Sequence, residues 1–218
     1  INILPHAIRE LDVLGLLPAL DEVGLRTKHL SYFTKSGQEV WSELRGLHAG
    51  HEIPQFSIHR GKLQKLLFDA LVERAGHESV VIGRRLSGFQ QNETGVTANF
   101  LDNIEGGPSL VVKADVLICA DGIHSRGRKI FYPEEKLPSW NGVMMWRGAT
   151  EWSSWRDGES MAIGGGLGGK FVFYPINKKK NGRQLINWVV NIRTKDPAVT
   201  PPPVNSWLRS VPLSTVLP

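Results

Sequence analysis

A single cysteine among 218 residues, Cys119, excludes an internal disulfide and any zinc site built on several thiolates. Because it sits in the apolar run 116–120, it is expected to be a buried, inert thiol. No stretch approaches the roughly 18 consecutive apolar residues of a membrane helix. The opening INILPHAIRE lacks the basic segment and small-residue cleavage site of a secretory signal, so a cytoplasmic protein with no membrane partner is expected. Without such a signal the Asn92-Glu93-Thr94 sequon carries no information. His48 and His51 have no cysteine or carboxylate companions at zinc-site spacing, and no metal site is expected. Acidic side chains are outnumbered 21 to 26 by lysine and arginine, giving a formal charge of +5. That excess suits a phosphate-bearing ligand. The basic residues are scattered except for Lys178-Lys179-Lys180, which lie in the turn-like NKKKNG, so nucleic acid is not an expected partner. With 41% hydrophobic and 22% charged residues, the chain has enough apolar material for a sizeable core and one or two domains.

Periodicity predicts a helix over residues 3–14, where Pro5 suits the first turn and Leu4, Ile8, Leu11 and Leu14 share a face before Gly15. Short alternating runs, HLSYF and QEVWSEL, flank Lys35-Ser36-Gly37 and predict a β-hairpin. A second helix is expected over 60–75, from Leu63, Leu66, Leu67, Ala70 and Leu71, closed by Gly76. Strand-like VVIG, TGVTANFLD and SLVV follow, the last two separated by a turn at Gly106-Gly107-Pro108. The run from Ala114 to Gly122 is apolar and bounded by turn formers, which predicts a parallel strand buried on both faces with Asp121 at its carboxyl end. Past Pro133 the segments GVMMWRGATEW, KFVFYPI and LINWVVNI predict an antiparallel sheet, and residues 196–218 read as a proline-rich linker.

Gly164-Gly165-Gly166-Leu167-Gly168-Gly169 satisfies G-x-G-x-x-G, the spacing of a dinucleotide-binding loop. That loop works only where it opens a helix whose amide groups face a pyrophosphate. Here residues 170–176 alternate like a strand, so a hairpin turn is expected instead.

Two patterns together carry a resemblance. Ser57-Ile58-His59-Arg60-Gly61-Lys62-Leu63-Gln64 sets an arginine at a helix start, and Ala120-Asp121-Gly122-Ile123-His124-Ser125-Arg126-Gly127-Arg128 follows an apolar run. In this order they resemble the flavoprotein aromatic hydroxylases of the p-hydroxybenzoate hydroxylase type and, among those, the bacterial phenazine-carboxylate hydroxylases. INILPHAIREL, GVMMWRGATE and INWVVNI extend the resemblance over residues 1 to about 195. It implies an α/β chain, α+β overall, with a partial Rossmann-like FAD-binding domain over 1–132 and part of an antiparallel substrate sheet over 133–218. The hairpin region 27–56 is expected to join that sheet. It also implies FAD as cofactor, NADH or NADPH as co-substrate, and a small aromatic substrate hydroxylated with molecular oxygen. Arg60 is similar to the arginine that meets the flavin pyrophosphate, and Asp121 to the carboxylate beside the ribityl and pyrophosphate region. The bland alternatives are an exposed helix-start arginine and a plain Asp-Gly turn. Arg128 is expected to anchor its turn by pairing with a local carboxylate.

The cofactor carries such chemistry, so no catalytic residue is assigned. Trp146, Arg147, Phe173 and Tyr174 are candidates for the substrate face, with core packing as the alternative for the aromatics. The pattern departs from the family at Cys119, where glycine is usual, and at Gly127, where an apolar residue is usual. Family members also carry a glycine-rich loop before the point matching Ile1 and a Gly-Asp motif beyond the point matching Pro218. An internal piece of a longer enzyme is therefore expected, and a non-catalytic remnant of that family is the rival reading.

Overall fold

A computed structural model describes residues 1–104, 107–136, 138–194, 209–212 and 214. The expected linker over 196–218 and the Gly106 part of the expected turn therefore fall largely outside the described residues. The chain divides into two compact units, Ile1–Ala70 with the residues from Trp140 onward, and Leu71–Ser139.

In the first unit, a three-stranded sheet combines β1 (Asn2–Ile3), β2 (Leu25–Arg26) and β5 (Phe56–Ser57) in the order β1-β5-β2. Helix α1 (Pro5–Val13) begins on a proline, which needs no amide partner there, and Gly15 takes φ 70° just beyond it. Sequence periodicity missed α2 (Leu17–Val23), a seven-residue helix too short to show a repeat. Ile8, Leu20, Phe56 and Ile58 are wholly buried and, with Ile3, form one core. Beside it lies a polar network. Asn2 Nδ2 donates to Ser57 Oγ at 2.8 Å, Gln55 Nε2 donates to Asn2 Oδ1 at 2.7 Å, and the Thr27 and Ser57 hydroxyls share a bond of 2.8 Å. Within this network the buried Thr27, Gln55 and Ser57 side chains are thereby partnered, as burial requires.

The second layer is a six-stranded sheet of β3 (His29–Phe33), β4 (Glu39–Leu44), β9 (Val143–Ser153), β10 (Ser160–Gly165), β11 (Gly169–Pro175) and β12 (Arg183–Arg193), ordered β4-β3-β10-β11-β12-β9. β3 and β4 form the expected hairpin, with Gly37 at φ 83° in its turn. The segments past Pro133 pair antiparallel as expected, β10 with β11, β11 with β12 and β12 with β9, and the hairpin joins them through a parallel pair of β3 with β10, Ser31 opposite Ala162. Strand direction between segments so distant in sequence leaves no trace in local periodicity. β10 and β11 close a hairpin through the glycine run, with Gly165 opposite Lys170, and no helix follows it. Lys178, Lys179 and Lys180 are exposed.

Helix α3 (Arg60–Ala75) starts in the first unit and has no fully buried residue. Leu63 and Leu66 lie against the first core, while Leu67, Phe68 and Leu71 are largely exposed.

The second unit is a meander of β6 (Arg84–Asn92), β7 (Gly95–Asp102) and β8 (Leu110–Ala114), with α4 (Arg126–Phe131) packed on β6 through Phe89 and Phe131, whose ring centroids are 5.3 Å apart. Two expectations fail here. VVIG is not a strand; the strand begins after it, at Arg84. The run 115–121 forms no strand, with Val116 71% and Ile118 83% exposed. A parallel strand takes its ladder bonds from sequence-distant neighbours, and among the described residues none is presented to it.

Cys119 is exposed rather than buried. Its side chain nonetheless fills specific space, because a Cβ at the buried Gly127 would stand 2.2 Å from Cys119 Sγ and 2.8 Å from its Cβ. The two departures from the family pattern therefore form one adjustment, in which the thiol occupies room that a side chain at 127 would take. Gly127→Ala alone is expected to destabilise the full-length protein by about 1–3 kcal/mol through overpacking. The same change in a Cys119→Gly background should cost clearly less, which urea unfolding of the four proteins in a double-mutant cycle would measure. Additive losses would show that the two positions do not share that space.

Candidate functional site

Arg60 is the first residue of α3, directly after the buried Phe56-Ser57-Ile58 segment that fixes its position. The first turn of α3 contains no acidic residue, so nothing there neutralises the positive end of the helix dipole. His59 Nδ1 accepts the Gly61 amide at 3.1 Å, and the His59 carbonyl accepts those of Lys62 and Leu63. Arg60 is exposed and, among the described residues, forms no ion pair, unlike the arginines at positions 26, 45, 84, 128 and 156.

Asp121 lies in the second unit, in the turn that leads into α4. Its Oδ2 accepts the Arg126 amide at 2.6 Å. The Ser125 hydroxyl first, and then the Arg126 and Gly127 amides, hold the carboxyl below the ordinary carboxylate range. A depressed carboxyl supports the folded turn above its unfolded pKa and loses that contribution only as pH falls through the lower folded value. Asp121 is thus a carboxylate across the neutral range, exposed and oriented by the Ser125 hydroxyl and by backbone amides. Ser125 Oγ caps α4 by accepting the Arg128 amide at 3.0 Å. Arg128 anchors the turn as expected, donating to Glu135 at 2.8 Å and to the Ile123 carbonyl at 2.6 Å. Arg60 and Asp121 belong to different units, and each is described within its own.

Strand alternation sorts the four substrate-face candidates into two pairs. Phe173 pairs with Trp188, and Trp146 with Val190, so these side chains share one face. That outer face carries a ring cluster, in which Trp155 stands 5.0 Å from Phe173 and 6.0 Å from Phe33. Arg156 lies 4.5 Å over the Trp155 ring, donates to Ser31 Oγ at 2.8 Å and pairs with Glu39. These contacts account for Phe173 as packing.

Tyr174 pairs with Asn187, and Arg147 with Val189, which puts Tyr174 and Arg147 on the opposite, inner face. There Tyr174 packs with Leu30, Met161 and Ile176 as a second core. Burial pushes its phenol up, and the Arg60 guanidinium acts in the opposite sense. Asn187 and Asn191, two strand positions further on each time past Leu185 and Val189, share that face. Asn187 Nδ2 and Asn191 Oδ1 are buried with no partner among the described residues. Sequence reasoning missed both asparagines. The available signal was the polar spacing in NWVVN, which places two amides on one side of an otherwise apolar strand.

Two clefts, one lined by Arg128, Phe131 and Tyr132 and the other by Asp21, Arg26, Asp157 and Gln184, include neither Arg60 nor Asp121. Among the described residues no helix is long and apolar enough to cross a membrane.

Comparison with known proteins places these features in a common frame. A family described as "FAD binding domain" matches residues 4–209. The chain is 38% identical over 223 residues to "Phenazine 1,6-dicarboxylic acid hydroxylase PhzS" of Lysobacter antibioticus, a match covering 100% of this chain and 54% of that protein. Among solved structures it resembles Klebsiella pneumoniae HpxO complexed with FAD and uric acid, with a TM-score of 0.67 at 20% identity over 91% of this chain and 48% of that one. It also resembles Pseudomonas aeruginosa PqsL in complex with 2-aminobenzoylacetate, with a TM-score of 0.68 at 18% identity over 88% and 49%. At those identities the structural likeness concerns the mixed α/β fold. The chain spans about half the length of the curated relative it matches.

Proposed function

Since the chain belongs to the FAD binding domain family, we propose that it is part of an FAD- and NAD(P)H-dependent monooxygenase that hydroxylates a small aromatic ring with molecular oxygen. The observation that carries this reading is Arg60, an exposed guanidinium with no ion pair among the described residues, at the mouth of a 16-residue helix whose first turn holds no acid. The residues present fit the cofactor. A forked guanidinium supplies donors to a diphosphate, the positive end of a helix dipole adds to its attraction, and an exposed carboxylate such as Asp121 accepts from sugar or ribityl hydroxyls. When bound, FAD supplies hydride acceptance and oxygen activation, which no side chain here can replace.

The protein's part is to bind, orient and exclude water. Arg60 meets the pyrophosphate, Asp121 the ribityl side, and the inner face of the six-stranded sheet presents Tyr174, Asn187 and Arg147 to the ring. On this reading residues 1–132 contribute to flavin binding and 133–218 to the substrate sheet, with the β3–β4 hairpin joining the latter. The similarity to a phenazine dicarboxylate hydroxylase makes a polycyclic aromatic acid the first substrate to try. A cytoplasmic location belongs to the same proposal.

The test uses the full-length protein. Purified protein is expected to be yellow, to release FAD on denaturation, and to oxidise NADH or NADPH faster when phenazine-1,6-dicarboxylate is added. A colourless, folded protein that oxidises neither nucleotide would favour the non-catalytic rival.

A further inference from the structure

Gln184 lines a cleft of about 350 Å³ within the first unit, whose other walls come from the α2–β2 segment, the loop before β10 and the turn after β11. The side chain is 2% exposed and its amide is fixed, because Nε2 donates to the Gly158 carbonyl at 2.9 Å and to the Asn177 carbonyl at 3.0 Å. Both amide hydrogens are thereby used, and Oε1 is left buried with no partner among the described residues. A buried acceptor in that state is unfavourable until a donor reaches it. Room for a donor exists at Gly158, also in the cleft wall, where a side chain would have put a Cβ 2.8 Å from Oε1.

The charges around the cleft divide into those already paired and those that are not. Asp21 is held by Arg26 at 2.6 Å, and Asp157 by His29 at 3.2 Å, the Ser160 hydroxyl at 2.8 Å and the Glu159 amide at 2.9 Å. Glu159, Lys178 and Lys179 line the same cleft, yet among the described residues none of their side chains forms an ion pair or hydrogen bond. Glu159 follows Gly158 in the chain and Lys178 follows Asn177. Gln184, bonded to both of those carbonyls, therefore ties an anionic wall to a cationic one. Opposite charges that share a cleft without meeting leave space for a molecule that carries both.

We propose that this cleft is a second binding site, for a small zwitterion of amino-acid type. The ligand's ammonium donates to Glu159 and to Gln184 Oε1, and its carboxylate accepts from Lys178 and Lys179. An anion alone would face Glu159 and leave Oε1 without a donor, and a cation alone would face two lysines. The volume lies at the lower end of the range for small-molecule sites. The cleft shares no residue with the flavin and substrate positions named above, so the inference goes beyond the oxygenase reading and does not depend on it.

The test is calorimetric titration of the full-length protein at low salt with γ-aminobutyrate, which carries both charges, and with butyrate and butylamine, which carry one each. γ-Aminobutyrate is expected to bind with a dissociation constant of about 1 mM, as befits a few polar contacts, and each half-analogue about 5- to 10-fold more weakly. Glu159→Gln should weaken γ-aminobutyrate binding by about tenfold through loss of a charge-assisted bond. Replacing Lys178 and Lys179 together by methionine should weaken it by about two- to fivefold, since exposed ammonium groups contribute less. These side chains have no partners to lose among the described residues, so the melting temperature should stay the same in both variants. FAD content should also stay the same, which separates this site from the flavin site. Absence of saturable binding, equal affinity for all three probes, or unchanged affinity in both variants would each overturn the inference and leave the oxygenase reading untouched.

Discussion

Replacing Arg60 by methionine in the full-length protein is expected to weaken FAD binding by about 10- to 100-fold, the equivalent of one charge-assisted, forked contact to a phosphate. The side chain is exposed and forms no ion pair among the described residues, so its removal should leave the melting temperature of the apoprotein unchanged. Arg60→Lys should fall between the two, because an ammonium keeps the charge and loses the planar fork. Titrating FAD into apoprotein, followed by flavin fluorescence, measures all three. The direction of the helix matters as much as the charge. No acidic residue in its first turn offsets the dipole of α3, and part of the affinity should survive the substitution. An unchanged dissociation constant in Arg60→Met would return this residue to the status of an ordinary surface arginine.

Gly165→Ala is expected to be the most damaging small substitution in the six-stranded sheet. Gly165 has φ 113°, a conformation that a residue with a Cβ rarely adopts, and an added Cβ would stand 2.3 Å from the Gly169 carbonyl oxygen and 3.1 Å from Lys170 Cα. Both neighbours are backbone and hold the β10–β11 register, so neither can swing aside. A loss of about 2–4 kcal/mol follows from combining a strained backbone with overpacking, a large share of the stability of a typical domain. Gly166→Ala, one residue on, meets nothing within 4 Å and should be nearly neutral. Denaturant unfolding of the two variants separates the readings of this glycine run. A hairpin predicts one severe and one silent change. A phosphate-binding loop predicts instead that both variants lose nucleotide affinity with little change in stability.

Legibility in the sequence followed the range of the interactions involved. The helix starting at Arg60 and the hairpin around Gly37 were readable because their determinants lie within a few residues: apolar spacing, a closing glycine and turn composition. The glycine run was readable as a turn for the same reason, since the strand after it is local. The Arg128 anchor was readable too, its carboxylate partner lying only a few residues away at Glu135. By contrast, the run 115–121 looks in sequence like a strand buried on both faces, and the structure leaves it exposed. Apolar composition states what a segment is able to bury; whether a neighbour arrives is decided elsewhere in the chain. Cys119 was misjudged for the same reason, and its relation to Gly127 is invisible until the turn between them brings the two together.

The inner-face site shows where that boundary falls. Composition and motif were enough to propose Arg60 and Asp121 for the flavin, to offer Trp146, Arg147, Phe173 and Tyr174 for the substrate face with core packing as the alternative for the aromatics, and to name a flavin hydroxylase family. How the four candidates for the substrate face divide between the two faces of the sheet was not contained there. Trp146 and Arg147 are adjacent in the chain, yet the two-residue period of a strand sends one to the face of Phe173 and the other to the face of Tyr174. Pairing of β9, β11 and β12 then aligns Arg147 with Val189 and Tyr174 with Asn187, a register set by backbone hydrogen bonds between segments far apart in sequence. Residue chemistry is a local property, whereas adjacency in a sheet is made only when distant strands meet.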